Sequence, residues 1–214
     1  YSRIYAGPIA DMRDADVMVM SAGSPRISGQ NRLDKMESSI SICKKIIPEI
    51  EHSAFGGIIV SVTNPCDIIA AYIQKILDWP VQRILGSGTA LDSARFRNIL
   101  SLQLHTDPHS VMAYVLGEHG DSSMIPWSHV SIGECPVQSW MTENRGSYSG
   151  HWRDSLLEEV HRRASLEVQG KGSTEFGIAS SVCEMIRAFF HNEHKLLPCS
   201  VFLKGLYGIR EGFA

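Results

Sequence analysis

The 214-residue sequence predicts an α/β fold in two parts. Three observations carry that expectation. The early strands are short runs that are apolar throughout, as in a parallel sheet covered on both faces. Segments of helical period separate them, which is what crossover connections between parallel strands require. Beyond Gly88 the rhythm changes to longer helices and polar stretches, which marks a second region. The expected division falls at the Gly86-Ser87-Gly88-Thr89 turn, giving domains 1–88 and 89–214.

The elements follow in order. Val17-Met18-Val19-Met20 reads as a fully buried strand ended by Ala22-Gly23. Over residues 33–50, Leu33, Met36, Ile40, Cys43, Ile46 and Ile47 recur at helical spacing, and Pro48 is the expected boundary of that helix. Residues 57–62 form a second buried strand, stopped by Thr63-Asn64-Pro65. A helix over 67–77 and a short strand over 83–86 complete the first part. The second part opens with a helix over 91–102 and a strand over 111–116. A polar stretch over 142–150 precedes helices over 154–168 and 174–192, and residues 196–203 close it as an extended run.

Composition narrows the function. The chain is 43% hydrophobic and 20% charged with a formal charge of -3, which is ordinary globular chemistry. That balance offers no electrostatic reason to expect nucleic acid or a membrane surface as partner. No apolar stretch approaches the roughly 20 residues of a membrane span. Five cysteines (Cys43, Cys66, Cys135, Cys183, Cys199) stand at wide, irregular intervals with no C-x-x-C pair. This pattern fits reduced thiols and a cytoplasmic setting.

Several short constellations carry chemistry. "GSGTALDSARFR" has Leu91 where a phosphate-binding fingerprint would need its third glycine, so that reading fails. What remains is Asp92 and Arg95, three apart on one helical face; taken alone they read as a local ion pair. "GEHGDSSMIPWS" holds His119 in a glycine-flanked bend after a strand, the kind of loop that displays functional groups. No Gly-x-Ser-x-Gly surrounds it, and none of the nine histidines has metal-ligand spacing, so no metal is expected. Asn64 stands at the carboxyl end of a buried strand, where open α/β sheets bind ligands. Its amide can donate and accept at once. "SPRISGQNR" puts two cations, Arg26 and Arg32, in a Gly/Ser/Pro loop that leads into a helix.

Together, "DADVMVMSAG", "SVTNPCDI", "GSGTALDSARFR", "GEHGDSSMIPWS", "GKGSTEFGIA" and "SVFLKGLYGI" resemble the NAD-dependent lactate/malate dehydrogenase family, in family order and over nearly the whole chain. The resemblance implies the remainder of a Rossmann-type parallel-sheet domain followed by an α+β catalytic domain. It implies NAD as cofactor, a small 2-oxo or 2-hydroxy acid as substrate, and a homodimer or homotetramer. His119 then matches the proton donor to the substrate carbonyl, and Asp92 the carboxylate that holds its ring. Arg95 matches the clamp on the substrate carboxylate, a task for which a planar guanidinium fork is suited. Arg32 matches the arginine of a closing loop that polarises the carbonyl. Asn64 matches a position near substrate and nicotinamide, and Thr174 a pocket-lining one. Ala22, Gly23, Val62 and Asn64 match the cofactor-binding edge.

Two departures shape the expectation. The family's glycine-rich phosphate loop and first βαβ unit are not in this sequence, nor is the closing strand and helix. It therefore reads as an internal segment, and a non-catalytic fragment is a competing reading. The other departure is Arg26, six before Arg32, where glutamine resembles lactate enzymes and arginine resembles malate enzymes. The remaining motifs resemble lactate enzymes and place that reading first, with malate dehydrogenase as the alternative. A guanidinium enclosed without a partner would carry a desolvation penalty with pyruvate, whereas oxaloacetate brings a second carboxylate.

Overall fold

A computed structural model describes residues 2–24, 32–143 and 151–214, with the side chains of 32–35 outside the description. The chain divides into two compact units, Tyr1–Gly86 with Ser200–Phe213, and Ser87–Cys199 with Ala214.

The first unit is built on three parallel strands, β1 (Val17–Met20), β2 (Ile58–Ser61) and β3 (Ile84–Gly86), in that spatial order. Val17 pairs with Ile58 and Ile59 with Ile84. Helix α1 (Arg32–His52) connects β1 to β2, and α2 (Cys66–Leu77) connects β2 to β3. Ile59 and Val60 of the central strand are wholly buried, as its unbroken apolar run requires. Ile47 and Ile50 from α1 and Ile69 and Ile73 from α2 join Met20, Ile59 and Ile84 in one core. Arg83 ties the strand entrances together: its guanidinium donates to the carbonyls of Gly57 and Phe55, each at 3.0 Å, and lies 4.0 Å from the Trp79 ring centre.

Pro48 does not end the first helix. It lies inside α1, which runs on to His52. Proline removes one intrahelical hydrogen bond, but Pro48 sits on the exposed side while Ile47 and Ile50 are buried around it. The packed face carries the helix past the break.

Gly86 ends β3 and pairs in antiparallel fashion with Ser200, with N–H···O distances of 2.9 and 3.0 Å. A Cβ there would lie 2.8 Å from both Cys66 Sγ and Ser200 Cβ, so only glycine fits. This pairing brings Ser200–Phe213 into the first unit by contact, whereas the sequence division left 89–214 whole.

In the second unit, α3 (Ala90–Leu104) precedes a small antiparallel sheet of β4 (Val111–Met112), β5 (Ser131–Ile132) and β6 (Cys135–Pro136). Helices α4 (Val137–Glu143), α5 (Trp152–Lys171) and α6 (Phe176–Phe190) follow. Phe96, Ile99 and Leu100 from α3 pack with Leu156 and Val160 from α5 and with Val111, Ala113 and Val115. The Trp127 ring meets Phe96 edge-on at 5.7 Å and Trp152 at the same distance. Residues 131–137, which have no clear period, supply two strands and a helix start that the sequence did not announce.

Of the strand expected over 111–116, only Val111 and Met112 pair in the sheet, and Leu116 makes an isolated antiparallel bridge with Met124. Between them, at Val115, the backbone finds side-chain partners instead. Ser93 Oγ accepts from Val115 N–H at 2.9 Å and donates to Val115 O at 3.3 Å, while Thr89 Oγ1 donates to the same carbonyl at 2.6 Å. Both backbone polar groups of the buried Val115 are thus satisfied by Ser93 of α3 and by Thr89, which precedes that helix, rather than by a neighbouring strand. Ser93→Ala would leave Val115 N–H buried without this partner. It is expected to lower unfolding stability by about 1–3 kcal/mol, read from urea denaturation; an unchanged midpoint would show that the contact does not hold the segment.

Candidate active site

The site begins at the N-terminal end of α3. Asp92 and Arg95 lie one turn apart on that helix, and Arg95 NH1 donates to Asp92 Oδ1 at 3.1 Å. After Val115, a two-way backbone pairing of Leu116 with Met124, both bonds at 2.8 Å, closes the loop that carries His119. Inside the loop Gly120 N–H donates to Glu118 O, and Ser122 Oγ donates to the Glu118 carboxylate. Ser123 is buried and its hydroxyl lies 3.0 Å from His161 Nε2 on α5, pinning the far side of the loop.

These supports bring His119 Nδ1 to 2.7 Å from Asp92 Oδ2. The Asp92 side chain is 9% exposed and that of His119 28%. The carboxylate is therefore shared, one oxygen to the imidazole and the other to Arg95. Burial pushes the Asp92 carboxyl up, but the hydrogen bond from His119, with the charges of His119 and Arg95, outweighs burial and holds it below its ordinary 3.8. With Nδ1–H given to Asp92, Nε2 becomes the ring nitrogen that takes up or releases a proton. The arrangement thus offers an oriented proton carrier beside a guanidinium fork.

Arg95 NH2 also donates to Glu167 Oε2, at 2.7 Å, from the last turns of α5. Nothing in the sequence announces this contact, because the two residues are 72 apart. The only local signal is the i, i+4 pairing of Glu167 with Lys171, at 3.6 Å. Ser93 and Thr89, which hold the loop through Val115, were equally invisible among ordinary helix-start hydroxyls.

Three expected site residues, His119, Asp92 and Arg95, therefore come together in the second unit. Thr174 lies half-buried in the same unit, in the turn between α5 and α6. Ala22, Gly23, Val62 and Asn64 belong to the first unit, directly beyond the carboxyl ends of β1 and β2. Thr63 Oγ1 donates to Ala22 O at 2.8 Å and joins the two segments, and Ser39 Oγ donates to Asn64 O at 2.9 Å. Arg26 lies outside the described residues. Arg32 is the first residue of α1, and its side chain lies outside the description.

Among the described residues no helix is long and apolar enough to cross a membrane, and no group of three or more His, Cys, Asp or Glu side chains could hold a metal ion.

Comparison with known proteins gives the same outline. The family model described as lactate/malate dehydrogenase, NAD binding domain, matches residues 1–86. The model described as lactate/malate dehydrogenase, alpha/beta C-terminal domain, matches 89–214. L-lactate dehydrogenase 2 of Bacillus cereus is 38% identical over 212 residues, which span 99% of this chain and 67% of that protein. L-lactate dehydrogenase of Bacillus pumilus is 39% identical over 202 residues, or 94% and 64% of the two. The ligand-bound minor L-lactate dehydrogenase of Enterococcus mundtii matches with a TM-score of 0.91 at 34% identity, covering 97% of this chain and 66% of that one. The chain spans about two thirds of the length of these proteins.

The depressed Asp92 carboxyl has a consequence in acid. Its folded value lies below the unfolded one, so its contribution to stability is complete above the ordinary 3.8 and is lost as pH falls through the folded value. Asp92→Asn should therefore be less stable than the native chain near neutrality, with the gap closing as the solution is acidified below about pH 4. Thermal midpoints across that range check this; a gap of constant size would show that the ionised carboxylate is not what stabilises the site.

Proposed function

The chain belongs to the lactate/malate dehydrogenase family, and on that premise we propose that the protein interconverts a 2-oxo acid and an L-2-hydroxy acid with NAD, most nearly as an L-lactate dehydrogenase. The observation that carries this reading is the shared Asp92 carboxylate, with His119 on one oxygen and Arg95 on the other.

Each residue has a task in the reduction of pyruvate. Arg95 grips the substrate carboxylate and fixes the carbonyl at a set offset from the helix. His119 gives its Nε2 proton to the carbonyl oxygen as negative charge develops there, and Asp92 stabilises the imidazolium before transfer. In the reverse direction the same nitrogen takes the hydroxyl proton. Arg32 polarises the carbonyl from the loop side, and Thr174 lines the pocket. NADH supplies, when bound, the hydride that adds to the carbonyl carbon.

The residues beyond β1 and β2 fit such a cofactor. They lie at the carboxyl ends of parallel strands, where open α/β sheets bind ligands. Gly23 and Asn64 are exposed there, with Ala22 and Val62 half-buried between them. A Cβ at Gly23 would come within 3.0 Å of Thr63 Cγ2, so the backbone stays bare at that point. Ala22, Gly23, Val62 and Asn64 would hold the nicotinamide end, within an NAD-binding part over 1–88, and 89–214 would form the substrate part. Family membership also supports a cytoplasmic homodimer or homotetramer.

Arg26 supports a second reading, as a malate dehydrogenase, because its charge suits the far carboxylate of oxaloacetate. Two measurements on the whole protein decide these points. His119→Ala should lower kcat/KM by about a hundredfold to ten-thousandfold; normal turnover would reject the proton donor. Arg26→Gln should shift the ratio of pyruvate to oxaloacetate efficiency toward pyruvate by about a hundredfold or more; an unchanged ratio would remove Arg26 from the substrate.

A further inference from the structure

Arg95 is surrounded by more negative charge than a substrate clamp needs. Its NH1 is committed to Asp92 at 3.1 Å, and its NH2 to Glu167 at the shorter distance of 2.7 Å. The Arg95 side chain is 12% exposed, so these charges are only partly screened. A substrate carboxylate arriving at this fork meets two carboxylates already there. Donor hydrogens are numerous enough, but carboxylates on adjacent N–H groups of one guanidinium repel each other.

The two resident acids are not equally able to yield. Asp92 is 9% exposed and held by His119 as well as Arg95, so it stays. Glu167 is 27% exposed and has another cation at hand: Lys171 Nζ stands 3.6 Å from its other oxygen, one helical turn further along α5. Lys171 is kept near by Glu175 at 3.8 Å and by the Phe176 ring, whose centre lies 4.9 Å from its nitrogen. A modest side-chain rotation would move Glu167 from the arginine to the lysine without giving up ion pairing.

We propose that Glu167 acts as an internal competitor for the carboxylate subsite on Arg95, displaced onto Lys171 when a 2-oxo acid binds. The proposal rests on the reading of Arg95 as the substrate clamp. Glu167 is in this sense a residue that sets affinity: it raises the threshold a ligand must pass. An ionised, planar carboxylate passes it by gripping the fork bidentately, whereas an ester or amide does not.

The test is steady-state kinetics of the whole protein with NADH and whichever of pyruvate and oxaloacetate it reduces better. Glu167→Gln keeps the shape and removes the charge. It should lower KM about two- to fivefold, the scale of a partly exposed ion pair, with the change in KM rather than kcat. Lys171→Met removes the alternative partner and should raise KM by a similar factor. In the Glu167→Gln background Lys171→Met should have no effect, because the carboxylate it would receive is gone. A Glu167 that merely steadies Arg95 gives the opposite sign: KM rises in Glu167→Gln, which overturns the proposal, as does an additive double variant. Arg95→Lys separates the two levels. If it leaves KM unchanged, the clamp reading falls and the competitor falls with it. If it raises KM at least tenfold while Glu167→Gln does not lower KM, only the competitor is lost.

Discussion

The second unit of this molecule depends on how the buried N–H and C=O of one residue, Val115, are satisfied. A buried peptide needs partners for both N–H and C=O, and here the side chains of Ser93 and Thr89 supply them. The loop that follows Val115 is thereby joined to the first turn of the helix bearing Asp92 and Arg95. His119 then reaches Asp92 at 2.7 Å without a strand between them.

Charge follows from that geometry. Asp92 sits between a ring and a guanidinium, and both favour its ionised form over the burial that opposes it. Arg95 in turn sits between two acids, and Glu167 between two cations. Charges linked in this manner are less costly to bury than isolated ones, since each ion has a partner on either side. The chain of alternating signs from Asp92 through Arg95 and Glu167 to Lys171 belongs wholly to the second unit.

Much of this was legible in the sequence. The apolar run at 58–61 is the covered strand it reads as, whereas at 17–20 the strand forms but only Met20 is buried and Val19 is 43% exposed, because β1 is the outer strand of the three; "LDSAR" and "GEHGDS" together named the residues that meet. What stayed hidden has physical causes. Pro48 reads as a breaker because proline lacks a donor, yet tertiary packing of Ile47 and Ile50 outweighs one lost bond. The run over 111–116 reads as a strand because its residues are extended and apolar, but pairing is a property of the neighbour, not of the run. Glu167 gave no sign because contact between helices at a separation of 72 residues leaves no period to detect. Gly86 fails as part of a phosphate fingerprint, and its actual requirement, the crowded approach of Cys66 and Ser200, leaves no mark in the sequence.

The aromatic packing has an optical consequence. The four tryptophans are unevenly shared: Trp79 belongs to the first unit, against Phe55 and beneath Arg83, while Trp127, Trp140 and Trp152 belong to the second. Trp127 touches Phe96, on the helix that carries Asp92 and Arg95, and the Trp152 ring lies tilted against that of Trp127 at 5.7 Å. Replacing Trp79 by phenylalanine would leave emission from the second unit alone, and so make fluorescence a built-in gauge of the half that holds His119.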